Sequence, residues 1–403
     1  MGTAGDSALG QPKGIESMSK VTLAVAIVLS IAALHANAAV ATPMTSGDEV
    51  DQAVKQYMQA HKIPGASVAI IEDGKVVKES NYGLASVELG VPVTNDTQYT
   101  LASTTKEFTA VAIMTLVQEG KLSLDKPVRS YLPELPASWG AVTLRHCLSH
   151  TSGLPDAVAA DDVNVTPLAG TQAELMKLLV TRPVGEPGAK TVYNQTEYML
   201  LAEVIERVTG KPFRTYIDDR LLKPLGITDM HWGDSWEVIP GRASLYTTLE
   251  PTPDRSKLQL DAKGRPVEST SGIHAFGSKG IPEFLSPAAG LNANIGAIAK
   301  WESALWSGKV IKPETLAMMG TPYKLHDGSA GDFGLELMPY PLPATGESSV
   351  SSGGGAAVWI TTIPGSHLTA IVLTNLQGCM PPMLAAEVLQ AYEKQARVTG
   401  RKS

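Results

Sequence analysis

Strand-like runs sit at the two ends of this chain, and helix-like runs lie between them. Near the start, Ala66 to Glu72 is apolar and β-branched, and Asp73-Gly74 is a hairpin turn signal before Lys75 to Tyr82. Near the end, Ala356 to Ile363 and Leu368 to Leu373 are joined by Pro364-Gly365. That order predicts one sheet built from both ends, with a helical insertion in the middle. Helical spacing marks Asp48 to His61 and then Ser103 to Glu119, where Phe108, Val111, Ala112 and Leu116 form one face and Gly120 is a cap. Further helices are expected at Leu144 to His150, Thr171 to Thr181, Glu197 to Thr209, Ile295 to Trp306, Pro313 to Met319 and Met383 to Ala396. Residues 232–290 are rich in Pro, Gly, Ser and charge with little period, and read as long surface loops.

The chain has 403 residues, 43% apolar and 18% charged, which is enough for a sizeable core. A net charge of -7 and the lack of any Lys/Arg-rich block give no electrostatic reason to expect nucleic acid as a partner. Met18-Ser19-Lys20 leads into the apolar run Val21 to Leu34, and Ala36-Asn37-Ala38 supplies a small-x-small cleavage site. This is the make-up of a secretory signal peptide. The apolar run of 14 residues is short of the ~20 that span a bilayer, so an uncleaved anchor is the rival reading. Since Met18 heads a complete signal, residues 1–17 read as an upstream extension, and the mature chain is expected to start near Ala39 or Thr42 in a periplasmic or secreted location. Export permits a disulfide between Cys147 and Cys379; two buried thiols is the other reading.

The chemistry centres on Ser103-Thr104-Thr105-Lys106. Residues three apart on a helix share a face, so Ser103 and Lys106 are expected side by side. A serine hydroxyl needs a base to become a nucleophile, and a lysine amine can serve. A helix start also offers unpaired backbone N–H groups to a developing oxyanion. The four-residue pattern recurs at Ser17–Lys20 and Ser123–Lys126, so alone it decides nothing. His146 and His150 are four apart on an expected helix, but no glutamate follows the first of them as in H-E-x-x-H, and no metal is assigned. No G-x-S-x-G occurs, which removes the α/β-hydrolase arrangement.

Five segments in order give the Ser103 pattern its context: 99–136 around Ser103, "VTLRHCLSHTSGLP" (142–155), "GAKTVYNQTEYMLLAEVIERVTGKPF" (188–213), "GLNANIGAIAKWESAL" with "DGSAGDFGLELMP", and "SSGGG…AIVLTN" (351–375). Together they resemble the serine β-lactamase and penicillin-binding protein superfamily, on the class C side, from about residue 50 to about 393. The resemblance implies an α/β (α+β type) fold with a mainly antiparallel sheet flanked by helices, and a single domain over 48–396. The sheet part would fall at about 48–125 and 285–396 and the helical insertion at about 126–284. It makes Ser103 the acylated nucleophile, Lys106 its partner and Tyr193 the residue that shuttles the proton. A lysine charge ~4 Å away would bring such a tyrosine from about 10 to about 7, the two titrating as a pair. No metal or cofactor is implied.

Two positions depart from the family pattern. Gln195 stands where the family has Asn, with Asn194 between it and the tyrosine. The third motif, usually Lys-Thr-Gly or His-x-Gly, begins here at Ser351 or Ser352, and both registers lack the cation. Gly354 or Gly355 would supply an oxyanion N–H. Family substrates span β-lactams, D-alanyl-D-alanine peptides, D-amino-acid peptides and carboxylic esters. Loss of the cation points to ester or amide substrates without a recognised free carboxylate. The alternative is a binding or sensor protein on the same scaffold. Oligomeric state is not legible in the sequence.

Overall fold

The computed structural model describes residues 48–399, apart from 159–166, 234–235, 254–258, 263–266, 271, 277–280, 343–345 and 356. The expected signal peptide and upstream extension lie outside the described residues. Helix α1 (Glu49–His61) opens on Asp48, whose side chain accepts from Asp51 N, and ends at Lys62 in the left-handed conformation. The chain then enters β1 (Gly65–Glu72), turns at Asp73-Gly74 and returns as β2 (Lys75–Ser86), with a short β3 (Val91–Pro92) at the edge. The helices that follow are α2 (Thr105–Gln118), α3 (Leu144–Leu148), α4 (Gln172–Leu179), α5 (Thr196–Thr209), α6 (Phe213–Ile217), α7 (Ser286–Ala289), α8 (Ile295–Trp306) and α9 (Pro313–Met319). Strands β4 (Met338–Pro339), β5 (Val350–Gly354), β6 (Val358–Ile363) and β7 (Leu368–Thr374) precede the last helix, α10 (Pro381–Thr399).

The seven strands form one sheet in the order β3-β2-β1-β7-β6-β5-β4, and each neighbouring pair is antiparallel. At its centre β1 pairs with β7, from Ala66↔Thr374 to Glu72↔Leu368. Successive side chains on a strand point to opposite faces, and both faces are covered here. Ala69, Ile71, Ile371 and Leu373 enter the core shared with α2, α5 and α8. Val68, Ile70, Ala370 and Val372 enter a second core under α1 and α10. Cys147 belongs to the first core and Cys379 to the second, and no disulfide joins them. Among the described residues, no helix is long and apolar enough to cross a membrane.

Two expectations need correction. Helix α2 does not present one apolar face: every residue from Thr105 to Leu116 is buried. Its polar side chains survive there because they are bonded. Thr105 Oγ1 accepts from Leu291 N at 3.1 Å, Thr109 Oγ1 donates to Pro287 O at 2.8 Å, and Thr115 Oγ1 donates to Val111 O at 2.9 Å. Nor is 232–290 simply surface loop. Tyr246–Thr247 pairs with Leu376–Gln377 and His274–Ala275, and Leu285 to Gly290, which includes α7, is buried against α2.

Candidate active site

Three elements converge on Ser103. Tyr99–Thr100 pairs with Leu291–Ala293, and Leu101 N donates to Leu291 O at 2.9 Å, which fixes the approach to the nucleophile. Ala102 then adopts φ 46°, a left-handed conformation costly for an L-residue, and Ser103 sits in the tight turn Ala102–Thr104 at the head of α2. Opposite, β5 closes in: a Cβ on Gly354 would lie 2.0 Å from Leu101 O and 2.9 Å from Ser103 N, so only glycine fits.

Lys106 follows one turn later and is fully buried. Its Nζ donates to Ala288 O at 2.9 Å and lies 4.8 Å from the centre of the Tyr193 ring and 5.4 Å from that of Tyr198. Burial pushes Lys106 down to about 8; Glu336, Asp156 and Glu197 pull it back upward, in that order. Tyr193, from the segment before α5, hydrogen-bonds Ser103 and Gln195. The expected depression of Tyr193 is not found. Crowding of its hydroxyl by protein raises its pKa, and the Glu336 and Asp156 charges add to this. Lys106 meets the face of the ring, and the group moved towards neutrality is the lysine.

Gln195 reaches the Tyr193 hydroxyl, its backbone N–H donates to Asp156 Oδ1 at 2.9 Å, and its Oε1 is buried without a partner. Asn194 is committed elsewhere: its Nδ2 donates to Leu154 O at 2.7 Å and its Oδ1 caps α5 by accepting from Thr196 N at 2.8 Å. The pleat of β5 separates the two serines. Ser351 bonds Thr361 at 3.0 Å and Gly353 lies under the Trp359 ring, on the sheet face away from Ser103. Ser352 and Gly354 face α2, where Ser352 bonds Glu107. Ser352 is therefore the third-motif residue on the nucleophile side, and Gly355, at φ 56°, follows against Ala102. Trp359 packs on the opposite sheet face and lines none of this site.

Several buried groups around the site were not legible beforehand. Glu107 accepts from Trp301 Nε1 at 2.7 Å, Glu302 accepts from Trp306 Nε1 at 3.1 Å, and the two carboxyls bond each other. Burial raises both, so one proton stays between them. His150 follows α3 with φ 55°. Its Nδ1 lies 2.5 Å from Glu197 Oε2, and its Nε2 lies 3.5 Å from Glu336 Oε2. Glu336 also receives the Tyr198 hydroxyl. His146 points elsewhere and closes a capping box with Thr143. The two histidines thus share no ligand position.

The family model described as Beta-lactamase matches residues 50–393. This chain is a member of the β-lactamase family. Among solved structures, an octameric penicillin-binding protein homologue from Pyrococcus abyssi is 28% identical, with a TM-score of 0.66 over 88% of this chain and 77% of that one. A D-amino acid amidase from Ochrobactrum anthropi SV3 is 23% identical, with a TM-score of 0.68 over 86% of this chain and 99% of that one. A Staphylococcus aureus (strain COL) relative, Protein flp, is 31% identical over 188 residues, which are 45% of this chain and 38% of the relative. The chain thus matches well under half the length of that curated relative. For this β-lactamase family member, the β-lactamase/transpeptidase-like fold accounts for the position of the Ser103 turn beside the sheet's β5 edge.

Proposed function

We propose that this β-lactamase family protein is an exported serine hydrolase that acylates Ser103 with neutral ester or amide substrates. The observation that carries the reading is the buried Lys106, held at about 8 beside Tyr193, which bonds Ser103. The neutral Lys106 amine takes the Ser103 proton, directly or through the Tyr193 hydroxyl, as Oγ bonds the carbonyl carbon. Backbone N–H groups of Ser103 and Gly355 receive the oxyanion. Tyr193, kept protonated, hands its proton to the departing oxygen or nitrogen as its bond to carbon breaks, and the Lys106 ammonium replaces that proton. In deacylation, water gives a proton to Lys106 as its oxygen bonds the acyl carbon, and that proton passes to Ser103 Oγ as the Oγ–carbon bond breaks, which restores the Ser103 hydroxyl and the neutral Lys106 amine.

Substrate charge is set by what surrounds Lys106. Glu107, Glu197 and Glu336 are buried and Asp156 is half-buried, while Ser352 carries no charge. A substrate carboxylate gains no ion pair at Ser352; such a charge-assisted bond is worth about 1.5–3 kcal/mol. A class C β-lactamase, an amidase and EstCE1, a hydrolase with promiscuous acyltransferase activity, share the fold, so the scaffold tolerates each acyl group. The kcat/KM for p-nitrophenyl butyrate is expected to exceed that for nitrocefin by about 10- to 100-fold. Comparable values would reject the neutral-substrate reading. Export rests on residues 18–38, and Edman sequencing of the mature protein is expected to start at Ala39 or Thr42; a start at Met1 or Met18 removes it.

A further inference from the structure

His150 holds no metal-ligand position and takes no part in the proton steps. It is nevertheless fully buried, at φ 55°, a left-handed conformation that is costly for a residue with a side chain. With that backbone, two acceptors of one residue face the same segment of chain. The His150 carbonyl oxygen accepts from Val192 N at 2.7 Å, and the ring Nδ1 accepts from Asn194 N at 3.3 Å. Val192 and Asn194 are the chain neighbours of Tyr193, so His150 holds the peptide N–H on either side of it. The imidazole also packs on the phenol, with ring centres 4.5 Å apart and a tilt of 48°.

His150 is itself braced. Glu197 Oε2 lies 2.5 Å from Nδ1, and Glu197 Oε1 accepts from Ser152 N at 3.3 Å. The Phe333 ring meets the imidazole edge-on at 4.7 Å and stacks on Tyr193 at 5.9 Å, so the three rings form one packed group. The chain after His150 follows the same partner: Thr151 O accepts from Gly188 N at 2.7 Å, and Gly153 O accepts from Gly185 N at 2.7 Å. A leucine could fill the space of a core histidine. It would offer no acceptor to the N–H of Asn194, which is buried with its residue and needs one.

We propose that His150 is a positioning residue for Tyr193: it fixes the phenol through the peptide groups on both sides and the ring between them, and so governs proton delivery to the leaving group. The inference rests on the serine-hydrolase reading above and goes beyond it. An error of ~1 Å in such a placement can cost ~100-fold in rate. The step most exposed is departure of a poor leaving group. An alkoxide needs the Tyr193 proton as its bond to the acyl carbon breaks, whereas p-nitrophenolate is stable enough to leave without one.

The test compares kcat/KM for ethyl butyrate and p-nitrophenyl butyrate, which deliver the same acyl group to Ser103, in wild type, Tyr193→Phe, His150→Gly and His150→Asn. Glycine accepts φ 55° and removes both the ring and its nitrogen; asparagine tolerates the left-handed backbone and offers a side-chain acceptor again. In His150→Gly, ethyl butyrate is expected to lose about tenfold more than p-nitrophenyl butyrate, in the direction that Tyr193→Phe shows, with His150→Asn between it and wild type. Adding His150→Gly to Tyr193→Phe leaves the ratio of the two esters where Tyr193→Phe puts it. A merely structural role lowers both esters in the same proportion. An unchanged ratio in either variant, with folding confirmed by circular dichroism and thermal melting, therefore overturns the proposal. A wild type that turns over neither ester and takes no fluorophosphonate label rejects the serine-hydrolase reading, and the proposal with it.

Discussion

Ser103→Ala is expected to abolish fluorophosphonate capture and to lower p-nitrophenyl ester hydrolysis by on the order of 10⁴-fold or more. The side chain lost is a single oxygen on a partly exposed residue, so the fold should survive: the turn is held by Leu101 N on Leu291 O and by Thr104 N on Leu101 O, not by the hydroxyl. What remains in the variant is carbonyl binding by the backbone N–H groups, which gives residual rate without a covalent intermediate. Intact-mass spectrometry reads the adduct, and steady-state kinetics reads the loss. If wild type labels no better than Ser103→Ala, the protein is a binding or sensor member of its family. Gln195 in place of Asn and Ser352 in place of a cation are the two residues that keep that alternative in view.

Lys106→Met is expected to cost about 10³-fold in acylation rate and to erase the limb near pH 8. Methionine fills similar volume in a site with no solvent access, so the loss reports the amine. The substitution also strands Ala288 O and removes the charge facing Glu336, Asp156 and Glu197. Those acids can take up protons, so destabilisation should stay near the ~3 kcal/mol found when one partner of a buried pair is deleted. The sign of the pH effect follows from the direction of the shift. Below about 8 Lys106 is charged, and its basic form grows as pH rises through that value. A Lys106→Met enzyme within tenfold of wild type would transfer the role of base to Tyr193, whose raised pKa argues against it.

The strands and most helices were readable because periodicity reports burial directly. Residues 66–72 and 368–373 are apolar on both faces, as strands covered on both sides must be. The Ser103, Lys106 and Tyr193 positions were legible through motif order. The acid network was not. Glu107, Glu197, Glu302 and Glu336 look in sequence like ordinary solvated helix or loop charges, and only a fold could show them buried. A weak signal existed at Glu107 and Glu197, each followed by an aromatic residue (Phe108, Tyr198) inside a helical pattern. Glu336 gave none, since a positive φ on a non-glycine residue leaves no trace in composition. Residues 285–290 were misread because Pro and Gly there serve close packing behind Lys106, not solvent exposure. The β5 register was ambiguous for a simpler reason. Three consecutive glycines have no side chains to alternate, and it took the close approach of Gly353 to the Trp359 ring and of Gly354 to Leu101 O to orient the strand.

The pairing of β1 with β7 joins residue 66 to residue 374. A chain emerging from the ribosome therefore makes β1 and β2 early but must hold the β7 side of β1 unpartnered until residues 368–374 have been synthesised. Contacts of such sequence separation close slowly. The late arrival of β7 and α10 keeps the growing chain in an unfinished, chaperone-accessible form, and makes loss of β7 and α10 a defect of assembly before it is one of catalysis.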